Sequence, residues 1–327
     1  TYSCWFKRSR LGSQNQALLS AGGGASDFTM LYVGSSTDDI RWYDYDGSTD
    51  YGKAYTTNGT LRDTSSWYHI VFAWDTTQGA AADRVKVYLN GVLLTSPDTD
   101  YGDVPQDFQS KINNNQEHTI GKYTGNNAYI DGYLAEVNFI DGTQLDASSF
   151  GETKKGVWIA KEYTGSYGTN GFHLEFKQSG VGSGSASTIG ADTSGNTHHF
   201  TSTDIVASDC NMPDSPENNF PTLSNTSFPL TAKSLARGNL RIKGTDHTAH
   251  QSTMAFPSSG KWYWEVYNVT SNGSNYYAQY MGVMSTTIFH TEQDVSSYAG
   301  GNYIGDYIRR LVGVSWIAGN DVYYKNF

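Results

Sequence analysis

Only two cysteines, Cys4 and Cys210, occur in 327 residues, and they lie far apart. That excludes a disulfide framework and a cysteine-based zinc site, and leaves two unpaired, partly buried thiols as the expectation. Charged residues make up just 17% of the chain, and proline numbers 7. No run of about 18 apolar residues occurs, so no membrane span is expected. Basic stretches are also scarce: none exceeds "KRSR" (Lys7 to Arg10), and the formal net charge is −10. An acidic chain repels phosphate backbones, which argues against nucleic acid as a partner. Initiator methionine and signal peptide are missing. The chain opens inside an apparent strand, "TYSCWFKRS", and stops at "DVYYKNF", so it reads as a window of a longer gene product.

What is abundant is aromatic and small. Aromatics reach 14%, with 24 Tyr and 8 Trp, beside 35 Gly. Strands joined by frequent turns explain that mixture, and long helices do not. Helical periodicity is nearly absent. Instead short alternating runs follow one another, including "TYSCWFKRS", "FTMLYVG", "DIRWYDYDG", "WYHIVFAWD", "RVKVYLNGVLL", "EHTIGKY" and "YIDGYLAEVNFIDG". Their spacing and turn signals predict an all-β sandwich. Tyr2, Cys4 and Phe6 share one face of the first run. Val85, Val87 and Leu89 share the apolar face of another, and Asn90-Gly91 accommodates positive φ and closes a hairpin.

Here the pattern becomes specific. "W-Y-H-I" (Trp67 to Ile70), then "V-Y-L-N-G" (Val87 to Gly91), then "Y-L-A-E-V-N-F-I-D-G" (Tyr133 to Gly142) resembles the laminin-G-like, concanavalin-A-like jelly roll, over residues 1–150. The opening "CWFKRSRLGSQNQALLSAG" is similar to a sub-group common in tail and fibre proteins of tailed phages, particularly marine ones. Residues 151–237 are Gly/Ser/Pro-rich ("SGVGSGSASTIGADTSG", "DCNMPDSPENNFPTLS") and are expected to form an ordered, irregular connector with few strands. The order "GVW…YTG.YG.NGF.L.F", "G.D.SGN", "DSP.NNF", "GNL" is also similar to those phage proteins. From residue 238 to 327, "GKWYWEV", "Y.GV" and "VGVSW…..VYYKN" resemble the SPRY fold, which implies a second β-sandwich, incomplete at its C-terminal end.

No catalytic set emerges. Glycoside hydrolases of the concanavalin-like jelly roll carry E-x-D-x-x-E on a strand, where two carboxylates act as nucleophile and general acid. This chain offers Glu136, Asn138 and Asp141. One position is an amide, and strict alternation puts residues 136 and 141 on opposite faces unless a bulge intervenes. A plain sandwich strand ending in an Asp-Gly turn is the better reading. The pairs His198/His199 and His247/His250 read as solvent-facing polar residues rather than metal ligands. No G-x-S-x-G, H-E-x-x-H or Walker loop is present.

Two candidate sites remain. Laminin-G-like domains often hold calcium at the sandwich rim, and the resemblance makes two acidic loops candidates: Asp44, Asp46 and Asp50, and Asp98, Asp100 and Asp103. No cofactor is required. Turn chemistry accounts for the same residues. Flat rings among Asn, Asp and Gln suit sugar faces and hydroxyls. "RWYDYDGSTDYG" (Trp42, Tyr43, Tyr45, Tyr51) and "NGSNYYAQY" (Tyr276, Tyr277, Tyr280) mix them in this way, and could equally anchor a protein interface.

The expected protein is therefore a non-enzymatic structural and adhesive component of a virion, such as a phage tail fibre, capsid fibre or similar appendage. It would sit on the virion surface, beside other virion proteins or copies of itself in a trimer, and contact cell-surface glycan. The alternative is a secreted, extracellular bacterial adhesin or carbohydrate-binding module. A concanavalin-fold glycoside hydrolase is third.

Overall fold

In a computed structural model, residues 1–12, 14–123, 125, 128–210, 212–224, 234–243, 250–267, 279–283, 312–318 and 321–324 are described. Its strands are β1 (Tyr2–Arg8), β2 (Gln16–Gly24), β3 (Asp27–Val33), β4 (Asp39–Tyr45), β5 (Asp50–Thr60), β6 (Tyr68–Trp74), β7 (Val85–Leu89), β8 (Val92–Leu93), β9 (Thr99–Gly102) and β10 (His118–Ile120). Then come β11 (Gly132–Phe139), β12 (Gly151–Lys154), β13 (Val157–Ala160), β14 (Phe172–Leu174), β15 (Ser234–Ala236), β16 (Arg241–Lys243), β17 (Gln279–Val283), β18 (Val312–Ala318) and β19 (Asp321–Tyr324). No helix among the described residues is long and apolar enough to cross a membrane.

Two six-stranded sheets face each other, in the orders β14-β11-β1-β6-β7-β8 and β10-β2-β3-β4-β5-β9. Their pairings are antiparallel. This is the all-β sandwich that the alternating runs predict, because period-2 side chains send every second residue to the shared core. Cys4 and Phe6 of β1, Leu31 and Val33 of β3, Ile70 and Phe72 of β6, and Val87 of β7 are all buried there. Val85 and Leu89 pack on that core from its margin, as their shared face requires. Asn90 and Gly91 take φ of 48° and 85° between β7 and β8, the left-handed pair that a tight hairpin needs. Both cysteines are free and buried, and burial pushes the Cys4 thiol up to about 12.

The segment after residue 150, expected as a connector, contributes a strand and side-chain bonds to the sandwich. The chain divides into Thr1–Ala255 and Phe256–Phe327. β14 completes the first sheet against β11, and Phe172 stacks on Phe139 at 5.3 Å and 12°. β12 and β13 form a hairpin whose Trp158 donates from Nε1 to Nδ1 of His69, at 3.0 Å. Asp214 reaches β1 to pair with Lys7, and Asn239 donates from Nδ2 to the Ser9 carbonyl at 2.9 Å. A Gly/Ser/Pro-rich segment can order this way because its polar groups find partners on a surface that already exists.

In the second unit the described strands form one three-stranded antiparallel sheet, β17-β18-β19. The two-sheet SPRY-like sandwich expected over residues 238–327 is not shown. Residues 238–243 and 250–255 fold with the first unit, and "GKWYWEV" (Gly260 to Val266), expected to be a strand, has no ladder partner among the described residues.

Candidate functional site

The "RWYDYDGSTDYG" stretch is not one surface. β4 sends Ile40, Trp42 and Asp44 inward, and Arg41, Tyr43 and Tyr45 to the outer face of the sheet. Trp42 is 1% exposed and meets Trp74 edge to face at 5.6 Å, so it is core and offers no ring to a ligand. Tyr51 lies opposite Asp44 across the ladder, which turns it inward against Phe108, 5.2 Å away. Tyr43 and Tyr45 stay outside. Tyr276 and Tyr277 lie outside the described residues, and Tyr280 sits in β17 opposite Trp316.

Tyr43 and Tyr45 belong to a larger aromatic platform. Phe28, Met30 and Tyr32 of β3 share the outer face, with Tyr123 and Ala128 packed over them. Phe28 lies 5.8 Å from Tyr43 and 4.7 Å from Tyr123, between ring centroids. At the open end Tyr101 is 49% exposed and meets Tyr43 edge to face at 5.4 Å and 85°. A bulge aims it there. Lys53 pairs with Asp100 and Gly52 with Gly102, so Tyr101 is the extra residue and turns outward. Gly52 clears the ground beneath: a Cβ there would fall 2.6 Å from the Trp42 carbonyl and 3.0 Å from the Tyr43 ring.

Polar groups frame the rings. Asp50 accepts from the Tyr43 hydroxyl, and burial, followed by that carboxylate, pushes the hydroxyl above its ordinary value. Arg41 stands opposite Tyr32 and holds Asp39 through Nε, at 3.0 and 3.1 Å to the two carboxylate oxygens. Apolar ring faces beside a fixed guanidinium and an exposed carboxylate form a surface suited to sugar C–H faces and hydroxyls. Sequence reasoning missed Tyr32, Arg41 and Tyr101. Alternation in "FTMLYV" and "DIRWYDY" carried a signal for the first two; the bulge that exposes Tyr101 left none.

The aspartates named as calcium candidates already have protein partners. Asp44 is a buried strand residue whose Oδ2 accepts from Thr29, while its Oδ1 has no partner among the described residues. Burial raises its carboxyl to about 6, against the Thr29 bond. Asp46 holds its own turn, accepting from the Ser48 and Thr49 amides at 2.9 and 2.8 Å, which lowers its pKa. Asp98 accepts from Thr57, through hydroxyl and amide, and is lowered likewise. Asp100 and Asp103 come together, but around Lys53, at 3.7 and 2.7 Å. Among the described residues no group of three or more His, Cys, Asp or Glu side chains is gathered to hold a metal.

The "EVNFID" strand does bulge. Ser3 pairs with Asn138 and Trp5 with Ala135, leaving Glu136 and Val137 opposite Cys4, with Glu136 at φ 48°. Glu136 accepts from His173 at 3.0 Å, Asn138 accepts from the Tyr167 hydroxyl at 3.0 Å, and Asp141 accepts from the Asn113 and Asn170 side chains at 2.7 and 3.0 Å. All three hold neighbouring segments. His198 bonds to the Thr169 carbonyl at 2.9 Å, and the His199 Nδ1 accepts from the Asp192 amide at 3.0 Å. His250 bonds to the Ser224 carbonyl at 3.1 Å, and His247 lies outside the described residues.

Residues 1–148 match the family described as the concanavalin A-like lectin/glucanases superfamily. Together with the two six-stranded antiparallel sheets, that defines the N-terminal part of the chain as a laminin-G/concanavalin-A-like β-sandwich domain. Among solved structures, the chain is similar to the CBM40 module of the Ruminococcus gnavus IT-sialidase bound to alpha2,3 sialyllactose, at 17% identity and a TM-score of 0.30, over 41% of this chain and 70% of that one. It is similar to domain 4 of AbnA, a GH43 extracellular arabinanase of Geobacillus stearothermophilus in complex with arabinotriose, at 18% identity and a TM-score of 0.30, over 42% of this chain and 57% of that one. The leech intramolecular trans-sialidase matches at 18% identity and a TM-score of 0.29, over 41% of this chain and 20% of that one. No curated protein sequence matches the chain.

Proposed function

We propose that the N-terminal sandwich is a non-catalytic carbohydrate-binding module that receives a glycan on the outer face of the β10-β2-β3-β4-β5-β9 sheet. The observation that carries this reading is the open Tyr43–Tyr101 pair, with its rings supported from below and polar groups at its edge. A sugar ring lies on Tyr101 and Tyr45, and Asp50 and Arg41 take its hydroxyls. A glycan array followed by calorimetric titration tests this. Binding that Tyr101→Ala removes supports it, and an array silent at millimolar sugar overturns it.

The sequence order across residues 1–237 favours one setting for such a module: an adhesive appendage on a phage particle, with residues 238–327 as a SPRY-like second unit and contacts to other virion proteins. A secreted bacterial adhesin would use the same face. Mass spectrometry of purified phage particles separates the two, because a protein found only in cell secretions sinks the virion setting and leaves the glycan reading intact.

A further inference from the structure

On the opposite sheet, away from the aromatic platform, a lysine is buried beside an amide. Lys7 of β1 points from the outer face of its sheet into the segment after residue 210, and its side chain is 0% exposed. Its Nζ lies 2.6 Å from Oδ2 of Asp214, 2.8 Å from Oδ1 of Asn219 and 2.6 Å from the Phe220 carbonyl oxygen. The other Asp214 oxygen accepts from the Trp67 indole at 2.7 Å and the Phe220 amide at 3.2 Å, which fixes the carboxylate. Asn219 donates from Nδ2 to the Ser65 carbonyl at 2.7 Å, which fixes the amide plane. Trp67 and Tyr133, both buried, lie 6.2 Å apart in the same cluster.

We infer that Lys7 and Asn219 are the partners of a self-forming isopeptide cross-link, with Asp214 as the proton carrier. An amine, a carboxamide and a carboxylate are held together there by an already folded frame, and such positioning replaces the effective concentration that an unactivated amide otherwise lacks. Burial lowers the pKa of the lysine, against its bonds to Asp214, which favours the neutral amine that attack requires. The step balances without an oxidant or a co-reactant. The Lys7 ammonium passes a proton to Asp214, and the freed lone pair attacks Cγ of Asn219, the atom next to the oxygen that Nζ already contacts. The new Nζ–Cγ bond forms, the Cγ–Nδ2 bond breaks, and Nδ2 leaves as ammonia with the proton from Asp214, while the second Nζ proton returns to Asp214, which ends as the neutral acid. Asn219 is an exposed residue, so the ammonia departs directly into water. The product ties β1 covalently to the segment that covers it.

The intact mass of the folded chain, read under denaturing conditions, tests the inference. A mass below that of the sequence by one ammonia, with a branched proteolytic peptide joining the Lys7 and Asn219 segments, is the expected result. Asn219→Ala, at an exposed position, is expected to keep the circular dichroism of the parent, restore the full mass and lower the unfolding midpoint. A folded parent chain at full sequence mass with no branched peptide overturns the inference. A mass deficit that persists in Asn219→Ala overturns the choice of Asn219.

Discussion

Tyr43 and Tyr101 meet edge to face at 5.4 Å across a strand that places no side chain between them. The rings sit on β4 and β9, and the residue of β5 that separates them is Gly52, paired with Tyr43 on one side and Gly102 on the other. Two choices in the backbone, a glycine and a bulge, therefore make the platform. Tyr101 is the half-exposed member and the one with least to lose in packing. Tyr101→Ala is expected to weaken glycan binding about tenfold, equivalent to ~1.4 kcal/mol, with the unfolding midpoint unchanged. Titration of the two proteins with the best array ligand checks both halves.

Gly52→Val attacks the same platform from beneath. Its Cβ would lie 2.6 Å from a backbone oxygen and 3.0 Å from the Tyr43 ring, and the backbone contact cannot be relieved by a rotamer change. We expect destabilisation of about 1–3 kcal/mol from overpacking, together with lost glycan binding. Urea unfolding read beside the titration distinguishes this from Tyr101→Ala, which should affect binding alone.

Much of the sandwich was legible in the residues, and the site only half so. Alternation places Val85, Val87 and Leu89 on one face with no help from distant sequence, and Asn90-Gly91 states its own turn. In β4 the same alternation divides Trp42 from Tyr43, although a composition-based reading of an aromatic-rich loop treats them as one surface. The acidic stretch from Asp44 to Asp50 reads as one loop, whereas the turn is confined to the residues around Asp46 and the strands run up to it on both sides. Tyr101 was hidden because a bulge is set by the register of two strands distant in sequence. The role of Asp214 was hidden more deeply still. Its partner Lys7 lies 207 positions away, and nothing local marks either as buried.

That pair yields a prediction about the segment after residue 210. Asp214 neutralises Lys7 and also holds the Trp67 indole, so its loss strands a buried cation and an indole donor together. In the Asn219→Ala background, where no cross-link can form, Asp214→Ala is expected to cost about 3–5 kcal/mol of stability, the range for breaking a buried pair from one side. Replacing both partners in the same background, Lys7→Met with Asp214→Leu, should recover most of that loss. If equal losses appear in the single and double variants under chemical denaturation, the charge is not the cause.

Two buried groups in the sandwich titrate in opposite senses, and the sign of each can be worked out. Asp44 has its folded value raised from 3.8 to about 6 by burial, so the folded state holds its proton more firmly than the unfolded chain. Its contribution to stability is therefore complete below pH ~4 and lost as pH rises through about 6, by up to ~3 kcal/mol. His69, stacked between Trp5 and Trp158 at 4.9 and 5.9 Å, has its folded value lowered from 6.5 to about 3 by burial. Its contribution is complete above pH ~6.5 and lost as pH falls towards ~3, by up to ~5 kcal/mol. Between pH ~4 and ~6 the two slopes oppose each other, which flattens the dependence of the parent protein. Asp44→Asn keeps the Thr29 contact without a buried charge. It should be more stable than the parent at neutral pH and should show the uncompensated acid sensitivity of His69. Thermal unfolding at half-unit pH steps reads this directly: a variant curve parallel to that of the parent would mean that Asp44 is not the group responsible.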